Sequence, residues 1–438
     1  GSGTRRPEAG AGQRWRTRAA DEGGARGAAA AEAQAEAHCN AGSAQAVASS
    51  STASGANEGP PSRRRWVRRA GAGGGEAELP EPVASPAAAS SAAGARPPRP
   101  AVPDASGVPP LTREPASSRP GLGTTLRLRR GLRFPHIGLG GGSLDGAPGQ
   151  DAVAAALRAG YRLIDTALYY GNESDIAEGI RLAGLKREDV FICTKLLQKA
   201  HMSPAKVRAS LRESLKNLGT SYVDLYLIHN PRAGKILEVW PLMLQFREQG
   251  LARSVGVSNF GVAQLEGMRQ AGLEMPEVNQ VELHCWLQQR ELTEYHREHS
   301  IATMCHAPLA RCQQFGKTRL TALAQKLGRP EAQLAIRWCL QRGLVPIPKS
   351  IHPELIISNA ADGFDLSDEH MAAMAELDSG YMSCKVATPC MELPWSMLAE
   401  DIPDPAIWGG RKGGGKGGKG GGKGGKGGGG KGGKGELW

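Results

Sequence analysis

From Thr125 onward, short apolar runs alternate with longer stretches in which apolar residues recur every three or four positions. The runs are HIGLG, RLIDTA, VFICTKL, VDLYLIH, ARSVGVSN, VNQVELH, IATMCHAPL and LVPIPKS. Each reads as a strand buried on both faces, as parallel sheets require. The stretches between them read as helices. The clearest is MSPAKVRASLRESLKNLG, with Ser203 as N-cap, Pro204 in the first turn, Val207, Leu211, Leu215 and Leu218 on one stripe, and Gly219 as terminator. Gly160, Gly184, Gly250, Gly272, Gly328 and Gly343 end other amphipathic runs in the same way. Ahead of the first run, TLRLRRGLRF alternates around Arg130-Gly131 and predicts a short β-hairpin. Eight strands alternating with helices over about 280 residues predict an α/β fold, a (β/α)8 barrel with an N-terminal β-hairpin. An open doubly wound sheet is the alternative, but HIGLGGGSLDG has no G-x-G-x-x-G leading into a helix.

Composition breaks this pattern at both ends and divides the chain into 1–124, 125–408 and 409–438. Residues 1–124 contain no lysine and, apart from two tryptophans, no aromatics, and they run through segments such as SPAAASSAAGARPPRP. Such a leader cannot bury enough apolar surface to offset its ordering entropy and is expected to be disordered. Residues 409–438 are almost entirely glycine and lysine and predict a flexible, solvated tail. The charge of +11 follows the same division: 15 Arg against 11 Asp and Glu leave the leader at +4, and the tail carries +7. The barrel region is therefore near neutral. Cations in the tail can attract phosphates, but without interleaved aromatics any nucleic-acid binding is expected to be weak and sequence-blind.

No stretch reaches the roughly 18 apolar residues of a membrane span, and no apolar signal core precedes the barrel, so a soluble, cytoplasmic protein is expected. The Arg- and Ser-rich leader hints at a plastid or other organelle transit peptide, against which its 11 acidic residues argue. Seven of the eight cysteines lie in the barrel region, mostly inside apolar runs and without C-x-x-C spacing. That usage predicts core thiols and a reducing compartment.

Candidate chemistry lies at the carboxyl ends of the strands, where barrels place it. Asp165 interrupts the apolar run YRLIDTAL, where an ionised carboxylate needs a partner. Lys195, at the end of the next strand, is placed to supply one. Tyr170 follows Asp165, His229 ends strand four, Ser258 and Asn259 end strand five, and Gln280 lies in strand six. A lysine beside a tyrosine favours the phenolate and eases proton donation, which suits reduction of a carbonyl. Taken singly, each residue has a structural reading: a histidine after LYLI is more often a bonded core residue, and Ser258-Asn259 alone is an ordinary helix cap. His284, His296, His299 and His352 show no metal-ligand spacing, and no metal is expected.

From about Arg133 to Trp408 the chain resembles the aldo-keto reductase family. DTALYYGNE resembles its D-T-A-x-x-Y-x-N-E, GVSNF its G-V-S-N-F, VNQVELH its strand six, and IPKS its late phosphate-binding motif. The resemblance implies an NADPH-dependent reductase of aldehydes and ketones that works without metal. It makes Tyr170 the proton donor, Lys195 and Asp165 its tuning pair, and His229 the group that orients the carbonyl oxygen. Ser258, Asn259 and Gln280 would hold the nicotinamide carboxamide, Lys349 and Ser350 the adenosine phosphate, and Asn359 would lie near the adenine. Three positions depart from the family pattern. His306 stands where a stacking tyrosine is common, Asn230 where a pocket tryptophan is common, and Leu355 where an arginine grips the 2′-phosphate. The last departure predicts that NADH is also accepted. The partners expected are a small carbonyl compound and no membrane, with the chain acting as a monomer. A catalytically idle barrel used as a regulatory subunit is the reading outside catalysis, and the intact set Asp165, Tyr170, Lys195 and His229 speaks against it.

Overall fold

The computed structural model describes residues 111–114, 119–197, 203–360, 363–384 and 391–396. Expectations for 409–438 and for most of 1–124 fall outside them. The predicted hairpin is present: β2 (Thr125–Arg127) pairs antiparallel with β3 (Arg133–Pro135), and β1 (Thr112–Glu114) adds a third strand to β2. Eight further strands form one parallel sheet, β4 (Gly138–Gly140), β5 (Leu163–Asp165), β6 (Phe191–Leu196), β7 (Val223–Ile228), β8 (Ala252–Ser258), β9 (Val278–Glu282), β10 (Ala302–His306) and β11 (Val345–Pro346). Each pairs with its sequence neighbour, and all eight predicted runs are represented. Gly140 N donates to Pro348 O at 3.0 Å and brings the first strand against the end of the last. A Cβ on Gly140 would meet Ile347 O at 2.9 Å, so the seam needs glycine there.

Helices α1 (Gly146–Arg158), α2 (Glu173–Ala183), α3 (Pro204–Leu218), α4 (Ile236–Glu248), α5 (Val262–Gln270) and α6 (Arg290–Glu298) each follow one strand. Helices α7 (Arg319–Leu327) and α8 (Glu331–Gln341) follow β10, and α9 (Pro353–Asn359) and α10 (Asp368–Ala375) follow β11. In α3 the Ser203 side chain accepts from Lys206 N, Pro204 opens the helix, and Gly219 ends it at φ +61, a left-handed conformation costly for any residue with a Cβ. The other six predicted glycine stops also have positive φ.

The strand period of two sorts the side chains into an outer layer facing the helices and an inner core. Inside the barrel, Leu163, Phe191, Cys193, Leu225, Leu227, Val278, Met304 and Ile347 pack together, and Leu126, Leu128 and Phe134 of the hairpin close this core from below. The hairpin is fastened there by Arg130 N donating to Glu277 Oε1 at 2.8 Å.

Two stretches expected to lie in an undocked leader are docked. Glu114 on β1 accepts from Arg127 and Arg133 at 2.7 and 3.0 Å, and the carbonyl of Pro120 accepts from Arg337 Nη1 at 2.8 Å. Arg337 is only 1% exposed, and its charge needs that contact. Apolar patterning does not reveal these segments because each offers one leucine to the core, Leu111 and Leu122, and polar and backbone groups supply the rest of the contact. The cysteines also differ in part from expectation: Cys193, Cys285, Cys305, Cys339 and Cys384 are buried free thiols, whereas Cys312 is disulfide-bonded.

A chain starting at Leu111 is expected to melt above one starting at Thr125, which lacks the Pro120 carbonyl and the Glu114 pairs. The bond from buried Arg337 to the Pro120 carbonyl, as a hydrogen bond to a charged group, contributes about 1.5–3 kcal/mol, or roughly 3–12 °C at 2–4 °C per kcal/mol, and the exposed Glu114 pairs add little. Equal melting temperatures in calorimetry would show that the docked stretches contribute nothing.

Candidate active site

Continuing the inward alternation one step past the core reaches most of the predicted residues. Asp165 follows Leu163 by two positions, Lys195 follows Cys193, His229 follows Leu227, Gln280 follows Val278, His306 follows Met304 and Lys349 follows Ile347. The inner face thus changes from apolar to polar at the carboxyl end of every one of these strands, and the side chains converge on one mouth.

Asp165 is 2% exposed and Lys195 fully buried. Lys195 Nζ donates to Asp165 Oδ2 at 2.6 Å and to Thr166 O at 2.9 Å. The second carboxylate oxygen, Oδ1, accepts from Gln280 Nε2 at 2.7 Å. Burial works against the Lys195 ammonium, but the charge of Asp165, with Tyr170 and Cys193 adding to it, outweighs burial and holds its pKa above the usual lysine value. Lysine is therefore charged throughout the neutral range.

Tyr170 lies in the single 3-10 turn Leu168–Tyr170 that follows β5. The ammonium of Lys195 stands 5.1 Å from its ring centroid. His229 meets the same ring edge-on at 5.8 Å, and Tyr169, 39% exposed, meets His229 at 6.1 Å. Burial is the largest influence on the Tyr170 phenol and raises its pKa, Lys195 lowers it by charge and hydrogen bond, and Asp165 raises it. The net direction is upward. The expectation that Lys195 makes the phenol a stronger acid thus holds for that one interaction and not for the whole site, because desolvation of the phenolate exceeds it.

Ser258 Oγ donates to Gln280 O at 2.8 Å, and Asn259 takes φ +61, a conformation asparagine tolerates better than most residues. From there its Nδ2 donates to Ser258 Oγ at 3.0 Å and to His229 O at 3.1 Å, while His306 Nε2 lies 3.1 Å from its Oδ1. Asn259 Oδ1 can only accept, so the neutral His306 carries its proton on Nε2. Burial lowers the His306 pKa to about 4, with Glu282 pulling it up and Lys195 pushing it down, so the imidazole is neutral at pH 7. Lys349 is exposed, Ser350 Oγ accepts from His352 N at 3.0 Å, and buried Asn359 ends α9. Leu355 occupies the middle of α9, and Asn230 turns its side chain to Arg232 N at 2.8 Å. Trp395 packs its ring on Gly267 of α5, where a Cβ would collide with it.

Three further residues have roles that the motifs by themselves do not state. Thr166 contributes only its carbonyl, which any residue supplies. Met304 places its Sδ 3.1 Å from Gln280 Nε2. Glu282, fully buried beside His306 in the sheet register, accepts from Ser383 Oγ at 2.6 Å and Ser383 N at 2.7 Å. A buried glutamate in an apolar strand signals a partner, as Asp165 does; His284 Nε2 lies 3.3 Å from it two residues on, but its shorter contacts are to Ser383, 101 residues away.

The sequence pattern of the aldo/keto reductase family matches residues 136–379, more than half of the chain. The chain belongs to the aldo/keto reductase family. An aldo-keto reductase of Mycolicibacterium vanbaalenii is 42% identical over 250 residues, covering 56% of this chain and 89% of that protein. One from Mycobacterium tuberculosis is 39% identical over 250 residues, covering 56% and 88%. Among solved structures, an aldo/keto reductase of Brucella melitensis is 37% identical with TM-score 0.56, covering 60% of this chain and all of that one. A Bombyx mori aldo-keto reductase in complex with NADP is 32% identical with TM-score 0.57, covering 64% and 98%. Membership of this family makes the protein an oxidoreductase built on the barrel described above. Among the described residues of this aldo/keto reductase no helix is long and apolar enough to cross a membrane.

Lys195→Met leaves Asp165 buried with Gln280 but no cation, which is expected to cost about 3–5 kcal/mol. Asp165→Asn in the same chain should recover most of that loss, since the two sites are directly coupled. Thermal melting measures both. A single variant as stable as the parent would mean that water reaches Asp165.

Proposed function

We propose that the protein reduces aldehydes and ketones to alcohols with NADPH, using Tyr170 as the proton donor. The observation that supports this reading is the buried Asp165–Lys195 pair set beneath Tyr170, with His229 against the ring of the same tyrosine. Ionic groups this deep are costly, and their placement under a phenol at an open mouth suits an oxyanion-forming reaction.

The donor set fits a nicotinamide dinucleotide phosphate. Gln280 Oε1 receives no donor among the described residues, so it is available to a carboxamide N–H, and Asn259 Nδ2 and Ser258 Oγ lie beside it as groups for the carboxamide oxygen. Lys349 supplies an exposed cation for phosphate, next to Ser350, with Asn359 buried at the end of α9. His306 offers a flat neutral ring at the strand end. When bound, the reduced dinucleotide supplies hydride to the carbonyl carbon. His229 orients the carbonyl oxygen, and Tyr170 protonates it as charge develops. Lys195 stabilises the phenolate that remains, and Asp165 holds Lys195 in place.

Tyr170→Phe is expected to remove nearly all turnover of an aldehyde panel while NADPH still quenches tryptophan fluorescence. A variant retaining most of the parent kcat would refute the assignment of the donor. A parent that binds NADPH and turns over no carbonyl compound would favour the regulatory-subunit reading.

Cofactor preference follows from Lys349 and Leu355. Lysine gives a 2′-phosphate a point charge, whereas leucine lacks the planar donors of a guanidinium. NADPH should be preferred, with NADH measurably used, and Leu355→Arg should raise kcat/KM for NADPH roughly 10- to 150-fold, the equivalent of about 1.5–3 kcal/mol. NADH kinetics should change little. Outright rejection of NADH by the parent, measured at one ionic strength, would mean that another group performs this discrimination.

A further inference from the structure

Asp165 and Gln280 stand on β5 and β9, which are not neighbours in the sheet, yet their side chains meet at 2.7 Å across the barrel interior. A carboxylate can only accept, so the atom facing it must be the amide nitrogen of Gln280. The same nitrogen lies 3.1 Å from Met304 Sδ. Both amide hydrogens are thus engaged, the amide cannot turn over, and Oε1 is the group left for a ligand. The main chain of Gln280 is held as well, its carbonyl accepting from Ser258 Oγ and from Asn259 N, both at 2.8 Å.

We infer that Gln280 is a positioning residue for the acid as well as a candidate carboxamide contact: it occupies the Asp165 oxygen that Lys195 does not reach and so keeps the carboxylate aimed at the lysine beneath Tyr170. The two tasks use opposite ends of one amide. A ligand can take Oε1 without releasing Asp165, and only if it brings an N–H donor. The catalytic half of this inference rests on the reductase reading, whereas the Asp165 contact does not.

The test is Gln280→Glu, in which a protonated carboxyl can still donate to Asp165 and an ionised one repels it. Charged and titratable groups around Asp165 are Lys195 and Cys193 on β6, Tyr170 after β5 and His306 on β10. Burial holds the Cys193 thiol and the Tyr170 phenol above their usual values, Lys195 stays charged, and His306 is lowered to about 4. The parent shares these groups and His229, which faces the Tyr170 ring, so a pH dependence seen between about pH 5 and 8 in the variant relative to the parent belongs to the introduced carboxyl. Its folded pKa is raised above the unfolded value near 4.3, so the stability of the variant relative to the parent falls as pH rises from there through the folded pKa.

Without any cofactor, Gln280→Glu should melt close to the parent at pH 5 and several degrees below it at pH 8. Gln280→Met should show a deficit that is the same at both pH values. Adding Asp165→Asn to Gln280→Glu should remove this pH dependence or reverse its sign, since the introduced carboxyl, once ionised, then has Lys195 beside it and no carboxylate to repel it. In turnover assays the kcat of Gln280→Glu relative to that of the parent should fall across this pH range. A melting deficit of Gln280→Glu that is independent of pH, or one that Asp165→Asn leaves unchanged, overturns the inference. If the parent reduces no carbonyl compound, the functional reading fails, and the melting comparison still decides whether Gln280 holds Asp165.

Discussion

The contact between Asp165 and Lys195 inside the barrel constrains the rest of the structure, because each ion is too deep for water to stabilise it. Moving such groups out of water costs several kcal/mol apiece, and attraction between them offsets this only when their remaining hydrogen-bonding capacity is also used. Here it is used. One carboxylate oxygen takes the ammonium and the other takes Gln280, while the ammonium also reaches the Thr166 carbonyl and favours the phenolate of Tyr170. Strands β5, β6 and β9 consequently cannot shift register independently, since a slip of one residue would turn a charged group from the interior into the helix layer.

A barrel suits this arrangement because its alternation is continuous. The row of side chains that packs Leu163, Cys193, Leu227, Val278 and Met304 below is the row that carries Asp165, Lys195, His229, Gln280 and His306 above. Close packing below, completed by Phe134 at 5.3 Å from Phe191, fixes the strands that aim the polar groups. The backbone bond from Gly140 to Pro348 closes the ring and so brings Lys349 and Ser350, one and two residues further on, to the same mouth. Rigidity at the base and chemistry at the rim are thus two ends of the same strands.

How much of this was legible in the sequence depended on the range of each interaction. Strands, helix stops and the hairpin were legible because they follow from local alternation, capping and glycine. Lys195 was legible as the partner of Asp165 because adjacent strands put consecutive ends side by side. Gln280 was visible as a site residue but not as the second partner of Asp165, since that contact joins non-adjacent strands and depends on the curvature of the closed sheet. The docking of Thr112–Glu114 and Pro120 was not legible, because single leucines, Leu111 and Leu122, leave no periodic pattern and the remaining contacts are ion pairs and a backbone carbonyl. Nor did spacing show that Cys312 would be oxidised, a matter of which chain segments the fold brings together.

The balance at Tyr170 changes how its neighbours are understood. If Lys195 had simply turned the phenol into a strong acid, part of the population would be ionised at neutral pH and would carry no proton to give. Burial sets the opposite bias and keeps the proton on Tyr170 while the site is at rest. If Tyr170 gives up that proton, as proposed, Lys195 stabilises the phenolate that remains. On the proposed reading of Tyr170 as donor, an alkoxide, a far stronger base than a phenolate, would take the proton once charge developed on the carbonyl oxygen, whatever the resting acidity of the phenol. Preorganised charge of this kind stabilises the state in which electrons have moved and leaves the resting state neutral, and this is why the ammonium needs a buried carboxylate to hold it there.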